Sequence, residues 1–319
     1  MKSRKILLLY LLLLGASATF GLCFGPVRIS IPELFSAGNS AILHLRMIRV
    51  ILGLVAGAGL AVAGVIFQGI LRNALAEPYV LGVSSGAGLG AVLALFFNLS
   101  VKSLPVAAFA GAILAMIIVY QLAKINGQVS TQGLILYGVI VGAVFSSLLL
   151  FFVSISPNEA MHGITWWLLG SLEAWDIKLL IAVVILVALG IGIAIYFGRD
   201  LNAISLGEEE ARHLGVNVPL VKKILFVVAS LITGSIVCVC GIIGFVGLII
   251  PHAIRAVCGS DHRIVLPASA LSAGAFLIFA DTLGRTLMPP VEVPIGVITA
   301  LIGGPIFIVL LRRKQKSPL

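Results

Sequence analysis

Charged residues are scarce in this sequence. They make up 10% of the chain, and hydrophobic residues make up 60%, whereas about 25% of residues are charged in an average soluble protein. The mean hydropathy is +1.19. This composition excludes a soluble globular protein. The alternation typical of a membrane β-barrel is also absent, so long apolar helices remain as the spanning structure. We predict an all-α membrane protein.

Motifs for catalysis and metal binding are lacking as well. The chain has no GxxxxGK[ST] loop, which excludes ATP hydrolysis by a P-loop of its own. It has no HExxH motif, and no Ser/His/Asp arrangement is suggested. The four cysteines, Cys23, Cys238, Cys240 and Cys258, lie in or beside apolar segments, which favours buried thiols over disulfides or metal ligands. We therefore expect no catalytic residue, no metal site and no cofactor bound by this chain.

Ionisable groups are almost missing from the apolar runs. The one acid is Asp281, four residues before Arg285, a spacing that favours a structural ion pair over a proton relay. An ion-coupled carrier usually keeps several such groups near mid-membrane. Uphill transport by this chain would therefore draw its energy from a separate subunit.

Apolar runs divide the chain into ten predicted spans. The charge-free stretch between Lys223 and Arg255 has 31 positions and would be about 46 Å long as one helix, against a membrane core of about 30 Å. Gly241, Gly244 and Gly247 offer a place to turn, so we divide the run into a span that ends near Cys240 and another that begins at Ile242. The first apolar run follows Lys2. The Ala16-Ser17-Ala18 tripeptide within it resembles a signal-peptidase site. Because the run is long enough to span the membrane, we predict an uncleaved helix. The predicted spans are 6–24, 50–71, 79–97, 104–122, 133–153, 179–197, 224–240, 242–257, 264–287 and 293–311.

The net charge is +9. Because the basic residues lie between apolar runs, we interpret them as topology signals and exclude nucleic acid as a partner. Ten spans place both termini on one side. Of the 21 lysines and arginines, 15 fall on that side, which predicts that both termini are cytoplasmic. The six on the outer side are Arg28, Arg46, Arg49, Lys102, Lys178 and Arg285.

The longest charged interruption is Ser205–Pro219, which lies on the predicted cytoplasmic side. Ser205 and Glu208 have the spacing of a capping box, Gly215 suits a helix C′ position, and Asn217 suits an N-cap. We predict a helix, a turn and a second helix. Such a segment is either a solvated connector or a surface that presses against another protein. The small apolar face expected to do so contains Gly207, Ala211 and Leu214.

Four stretches resemble the permeases of bacterial ABC importers for iron-siderophores, haem and cobalamin, the FecCD type with ten helices. They are GVIFQGILRNALAEPYVLGVSSGAGLGA (64–91), LGEEEARHLGV (206–216), GFVGLIIPHAIRAVCGSDHR (244–263) and VEVPIGVITALIGGPIFIVLL (291–311). The chain departs from the family at Ala74, where proline is usual, and at Met47-Ile48, where a leucine-proline pair is usual.

The resemblance implies an assembly. It comprises a homodimer of this chain, two ATPase subunits that hold ATP and Mg²⁺, and a periplasmic or lipid-anchored binding protein, all at the bacterial inner membrane. The cargo stays open among a ferric siderophore, haem, cobalamin and an oxyanion.

The resemblance also implies roles for residues. The ATPase-coupling segment would comprise Leu206, Gly207, Glu208, Glu209, Ala211, Arg212, Leu214 and Gly215. Arg46, Arg49 and Arg285 would receive acidic residues of the binding protein. Ser130 and Thr131 would form a cytoplasmic gate, and the fifth and tenth spans would line the path.

Two other classes remain open. An ion-coupled secondary transporter acting without an ATPase would rely on Asp281. A membrane-embedded enzyme would need His252 and Asp281 to converge on one cavity.

Overall fold

The computed structural model describes residues 2–27, 36–100, 102–125, 128–156, 158–173 and 176–316. Arg28 of the predicted outer set lies outside them. The described residues form thirteen α-helices, which we number α1 to α13 in chain order. They are Lys2–Cys23, Ser40–Ile70, Val83–Phe96, Ser103–Leu122, Thr131–Ile155, Asn158–Leu169, Ile177–Tyr196, Gly198–Leu206, Glu208–His213, Val218–Cys240, Val246–Cys258, His262–Leu287 and Ile295–Lys316.

Ten of these helices are apolar. Seven are long and apolar enough to cross a membrane: α1, α2, α4, α5, α7, α10 and α12. The shorter apolar helices α3 and α11 and the Ile295–Leu310 part of α13 lie where the other three spans are expected. The described residues also form a two-stranded ribbon, Lys124–Ile125 with Gln128–Val129, and two 3-10 turns, Ala37–Asn39 and Pro78–Leu81. The all-α fold class is confirmed.

Helices α2, α10 and α12 form the centre of the bundle and are mostly buried, whereas α1, α5 and α7 are mostly exposed. Small residues allow the closest helix contacts. Gly86 and Gly90 of α3 face the backbone of α4 at Gly111 and Ala107, where any side chain would collide. The GxxxG spacing therefore acts in packing within one chain.

Several helix ends differ from the prediction. Helix α2 begins at Ser40 rather than at residue 50, because Arg46 and Arg49 lie inside the helix and find partners there. The predicted loop after residue 153 contains a further helix, α6. The third predicted span starts as a 3-10 turn, Pro78–Leu81, before α3.

The predicted break in the long apolar run is present, and α10 ends at Cys240 as expected. Helix α11 starts only at Val246, after a turn over residues 241–245. Two side chains from the segment before α3 hold this turn. The Phe245 N–H donates to Glu77 Oε1 at 2.8 Å, and the Ile243 N–H donates to Tyr79 Oη at 3.2 Å. These bonds satisfy backbone donors that the break leaves free.

Candidate functional site

The two ends of the bundle carry the candidate sites. We call the end with Ser205–Pro219 the loop face and the end with Arg46, Arg49 and Arg285 the arginine face. Helix α10 joins the two ends. It starts at Val218, within the loop-face segment, and ends at Cys240, which borders a cavity that Arg49 also lines.

The loop face is built around α9, a six-residue helix. Three glutamates occupy its first turn, and Arg212 and His213 occupy its last, so its charges complement the helix dipole as predicted. Gly215 follows the C-cap residue Leu214 and has a φ of 84°. The Asn217 side chain accepts from Leu220 N at 3.3 Å and caps α10. These local predictions are confirmed.

The predicted capping box is wrong. Ser205 lies within α8, and its hydroxyl donates to the Leu201 carbonyl at 2.8 Å. Gly207 ends α8 and precedes α9. The Ser205 hydroxyl is therefore used inside the preceding helix, where a serine can bond back to the carbonyl four residues earlier.

The expected docking face of α9 also needs correction. Gly207 and Ala211 are buried within this chain, so they cannot contact a partner directly. Leu214 is 68% exposed and Leu206 is 71% exposed. Helical spacing identifies one apolar face, but it does not tell which neighbour that face meets. Here the small residues pack inward, and two leucines remain outside.

Lys222 connects the loop face to α5. Its ammonium group donates to Glu208 Oε1 of α9 at 2.8 Å and to Thr131 Oγ1, at the start of α5, also at 2.8 Å. Ser130 caps α5 by accepting from Gly133 N at 3.2 Å. The structure therefore brings the predicted coupling segment together with the predicted gate residues.

Sequence reasoning missed Lys222, although a signal was present. Val218, Val221, Lys222 and Leu225 are all buried, and they recur at the spacing of one helix face. A lysine within such a buried stripe indicates a specific partner, because a buried ammonium needs one.

At the arginine face, Arg46 is buried, with 4% of its surface exposed. It donates to the carbonyls of Leu22 at 2.7 Å and Cys23 at 3.0 Å, and to that of Val27. These carbonyls lie at the end of α1, where an arginine satisfies groups without intrahelical partners. Arg46 therefore holds α1 against α2, and its predicted contact with a binding protein stays a prediction.

Arg49 joins three carboxylates of its own chain. Its Nη2 lies 2.6 Å from Glu173 Oε1 and 2.6 Å from Glu292 Oε2, and its Nη1 lies 3.7 Å from Asp281 Oδ1. Glu173 precedes α7, and Glu292 precedes α13. The guanidinium fork suits such multiple pairing. The two glutamates could not be predicted as partners, because they are 124 and 243 residues away in sequence.

Arg285 completes this cluster. It is 4% exposed, and its Nε lies 2.9 Å from Asp281 Oδ2. The predicted ion pair is confirmed. Its Nη2 donates to Thr282 Oγ1 at 3.2 Å. Little of Arg285 is accessible, and its predicted contact with a binding protein stays a prediction.

A cavity of about 440 Å³ opens beside the cluster, between Trp166, Trp167, Glu173, Asp281 and Glu292. Arg49 and Arg285 also line it, and these two arginines pair with the three carboxylates. His252 lies elsewhere, with its ring 6.0 Å from that of Phe307. Within the described residues, no group of three His, Cys, Asp or Glu side chains is placed to hold a metal ion.

The sequence matches a known transport family. The model of the FecCD transport family matches residues 10–313. The cobalamin import system permease BtuC of Halobacterium salinarum is 41% identical over 91% of this chain and 77% of its own length. The hemin transport system permease HmuU of Yersinia pestis is 37% identical over 98% of this chain and 96% of its own.

A solved structure has the same fold. It is that of a protein described as a metal-chelate type ABC transporter in an inward-facing conformation, and it superimposes with a TM-score of 0.90 at 33% identity, covering 97% of this chain and 99% of its own. Sequence and structure agree over nearly the whole length, and the chain belongs to the FecCD transport family.

Proposed function

We propose that this chain is the membrane-spanning permease subunit of an ATP-driven ABC importer. The observation that carries the proposal is α9, a short polar helix between two spans, with Leu206 exposed just before it and Leu214 exposed just after it. These leucines flank a charged helix outside the membrane-spanning segments, where a partner protein would cover them. The chain has no P-loop of its own, so an ATPase subunit is the partner that supplies energy.

The cargo is an iron chelate, such as a ferric siderophore or haem, or cobalamin. Relatives named for cobalamin and hemin transport support this class. The similarity extends over almost the entire chain, so the path through the membrane is expected to suit bulky cargo of this kind.

The assembly is a homodimer with two ATPase subunits and a substrate-binding protein. Helices α5 and α13 supply the contact along the path. Both are apolar and leave large side chains exposed, among them Val139, Val144 and Leu148 of α5 and Leu301 and Ile308 of α13. A second copy would cover part of these faces.

The loop face and both termini are cytoplasmic, and the protein resides in the bacterial inner membrane. The excess of lysine and arginine on that side supports this orientation. Ser130 and Thr131 form the cytoplasmic gate at the start of α5. ATP and Mg²⁺ bind the partner ATPase.

The binding protein docks on the arginine face and reaches Arg49. Arg46 and Arg285 position this surface from within, because both are buried. A carboxylate of the binding protein would compete with Glu173 and Glu292 for the Arg49 guanidinium, since each bonds it from the more exposed side.

Co-purification tests the proposed docking. The chain is expressed together with the ATPase encoded with it, and the bound ATPase is quantified. Leu206→Asp and Leu214→Asp are each expected to reduce it roughly tenfold. Leu99→Asp, at an exposed leucine between α3 and α4, is the matched control and retains it. Undiminished binding in both loop-face variants would contradict the proposal.

A further inference from the structure

We propose that Lys222 is a positioning residue that carries movement of α9 to the first turn of α5. This inference rests on the proposed function, because it assigns the loop face to the ATPase and Thr131 to the gate. It assigns a role to a residue that is not part of the predicted coupling segment. Lys222 lies outside Ser205–Pro219, on the following helix.

Lys222 is largely shielded from water. Only 7% of its surface is exposed. Glu208 and Thr131 are its hydrogen-bond partners among the described residues, both at 2.8 Å. Each partner belongs to a different helix, so the ammonium group links α9, α10 and α5 at one point.

Stability alone is a poor explanation for this arrangement. A buried ammonium loses its hydration, and an apolar side chain of similar length would fill the same place without that cost. A charged link has a different property. Its bonds are directional, so displacement of one partner either moves the others or breaks the link.

Helix α9 is suited to move as a unit. It has six residues and lies between Gly207 and Gly215. Gly215 has a φ of 84°, and glycine adopts such a conformation without strain. Ala211 is its buried side chain. Among the described residues, the bond between Glu208 and Lys222 is the side-chain hydrogen bond that joins α9 to a spanning helix.

A cavity of about 490 Å³ adjoins the link and is lined by Glu208, Lys222, Arg212, Leu134 and Phe226 among others. It lies between α9, α10 and α5. Close packing elsewhere would prevent small displacements of a side chain. The space beside Glu208 lets the carboxylate and the ammonium shift together.

The test uses the complete transporter in proteoliposomes, with internal ATP and external binding protein loaded with ferric siderophore, haem or cobalamin. Uptake and ATP hydrolysis are measured on the same vesicles. Lys222→Met is expected to leave hydrolysis near the wild-type rate and to lower uptake per ATP roughly tenfold. Lys222→Arg retains two donors for the same partners and restores most of the ratio.

Lys223→Met is the matched control, because Lys223 is the exposed neighbour on the same helix. It is expected to change the ratio by less than about twofold. Glu208→Gln and Thr131→Val test the two bonds separately, and each should lower the ratio. Combining either with Lys222→Met should add little, because the variants break one link.

A protein-level and thermal-stability measurement accompanies each variant, and the ratio of uptake to hydrolysis is independent of the amount of folded protein. If Lys222→Met fails to assemble, Thr131→Val and Glu208→Gln decide the outcome. Wild-type coupling in those variants, or in Lys222→Met, overturns the inference while leaving the proposed function intact. Uptake by the wild type without ATP would instead overturn the proposed function.

Discussion

Asp281 and Arg285 form a buried ion pair one turn apart in α12, with 2.9 Å between the carboxylate Oδ2 and the guanidinium Nε. Arg49 approaches the other oxygen of the same carboxylate at 3.7 Å. Asp281 therefore lies between two cations. This arrangement stabilises a fixed negative charge, whereas a proton relay needs a carboxylate that exchanges its proton during transport.

Asp281→Asn is expected to destabilise the protein by about 3 kcal/mol, because it leaves Arg285 buried without its partner charge. Thermal unfolding in detergent measures the effect. The double variant Asp281→Asn with Arg285→Gln removes both charges and should lose less than the sum of the two single changes.

Transport provides the second readout for Asp281. Uptake normalised to folded Asp281→Asn protein should show no new dependence on a proton gradient. A normal unfolding temperature together with abolished gradient-driven uptake would favour an ion-coupled carrier and contradict the structural interpretation.

Glu173 and Glu292 restrain Arg49 at the arginine face. The double variant Glu173→Gln and Glu292→Gln removes both charges that compete for it, so a carboxylate of the binding protein should bind more tightly, by roughly fivefold. The dissociation constant measured at low and high salt checks this. Equal or weaker binding would show that the glutamates do not compete with the partner.

Gly241 occupies the break between α10 and α11 with a φ of 69° and a ψ of −158°, a conformation almost restricted to glycine. An added methyl group would also collide with the Trp167 carbonyl. Gly241→Ala is expected to destabilise the protein by about 2 kcal/mol. Gly192→Ala is the control, because its position in α7 faces open space. Equal unfolding temperatures in the two variants would exclude this strain.

Glu77, which holds the same break, is expected to make the stability of the protein depend on pH. Burial raises the pKa of its carboxyl, although the hydrogen bond from Phe245 N opposes the shift. The folded state therefore holds the proton up to a higher pH than the unfolded state, and stability falls as pH rises through and above the unfolded value of about 4.3.

Glu77→Gln retains an acceptor for Phe245 N and removes the titration. We expect its unfolding temperature to change less than that of the wild type between about pH 4 and about pH 7. Glu209→Gln, at an exposed carboxylate of α9, should leave the wild-type slope unchanged. A wild-type slope in Glu77→Gln would assign the pH dependence to another group.

Features that depend on neighbouring residues were predictable from sequence. The Asn217 cap, the Gly215 end of α9, the Asp281–Arg285 pair and the end of α10 at Cys240 all follow from spacing within a few turns. Each is decided by local backbone geometry or by side chains one turn apart. The family was also predictable, from the four stretches that resemble its members.

Contacts between distant segments were not predictable. Lys222 meets Thr131 across 91 residues, and Arg49 meets Glu292 across 243. The direction of the α9 face depends on the same packing, which places Ala211 inside. Arg46 and Arg285 were expected from sequence to be exposed, but contacts with distant segments bury both in the structure.

ATP-dependent uptake tests the central claim most directly. Proteoliposomes contain this chain and its ATPase, and the external binding protein carries a ferric siderophore, haem or cobalamin. We predict accumulation of one of these cargoes with internal ATP and none with a non-hydrolysable ATP analogue. Equal accumulation with the analogue, or by this chain without an ATPase, would contradict the assignment as an ABC importer permease.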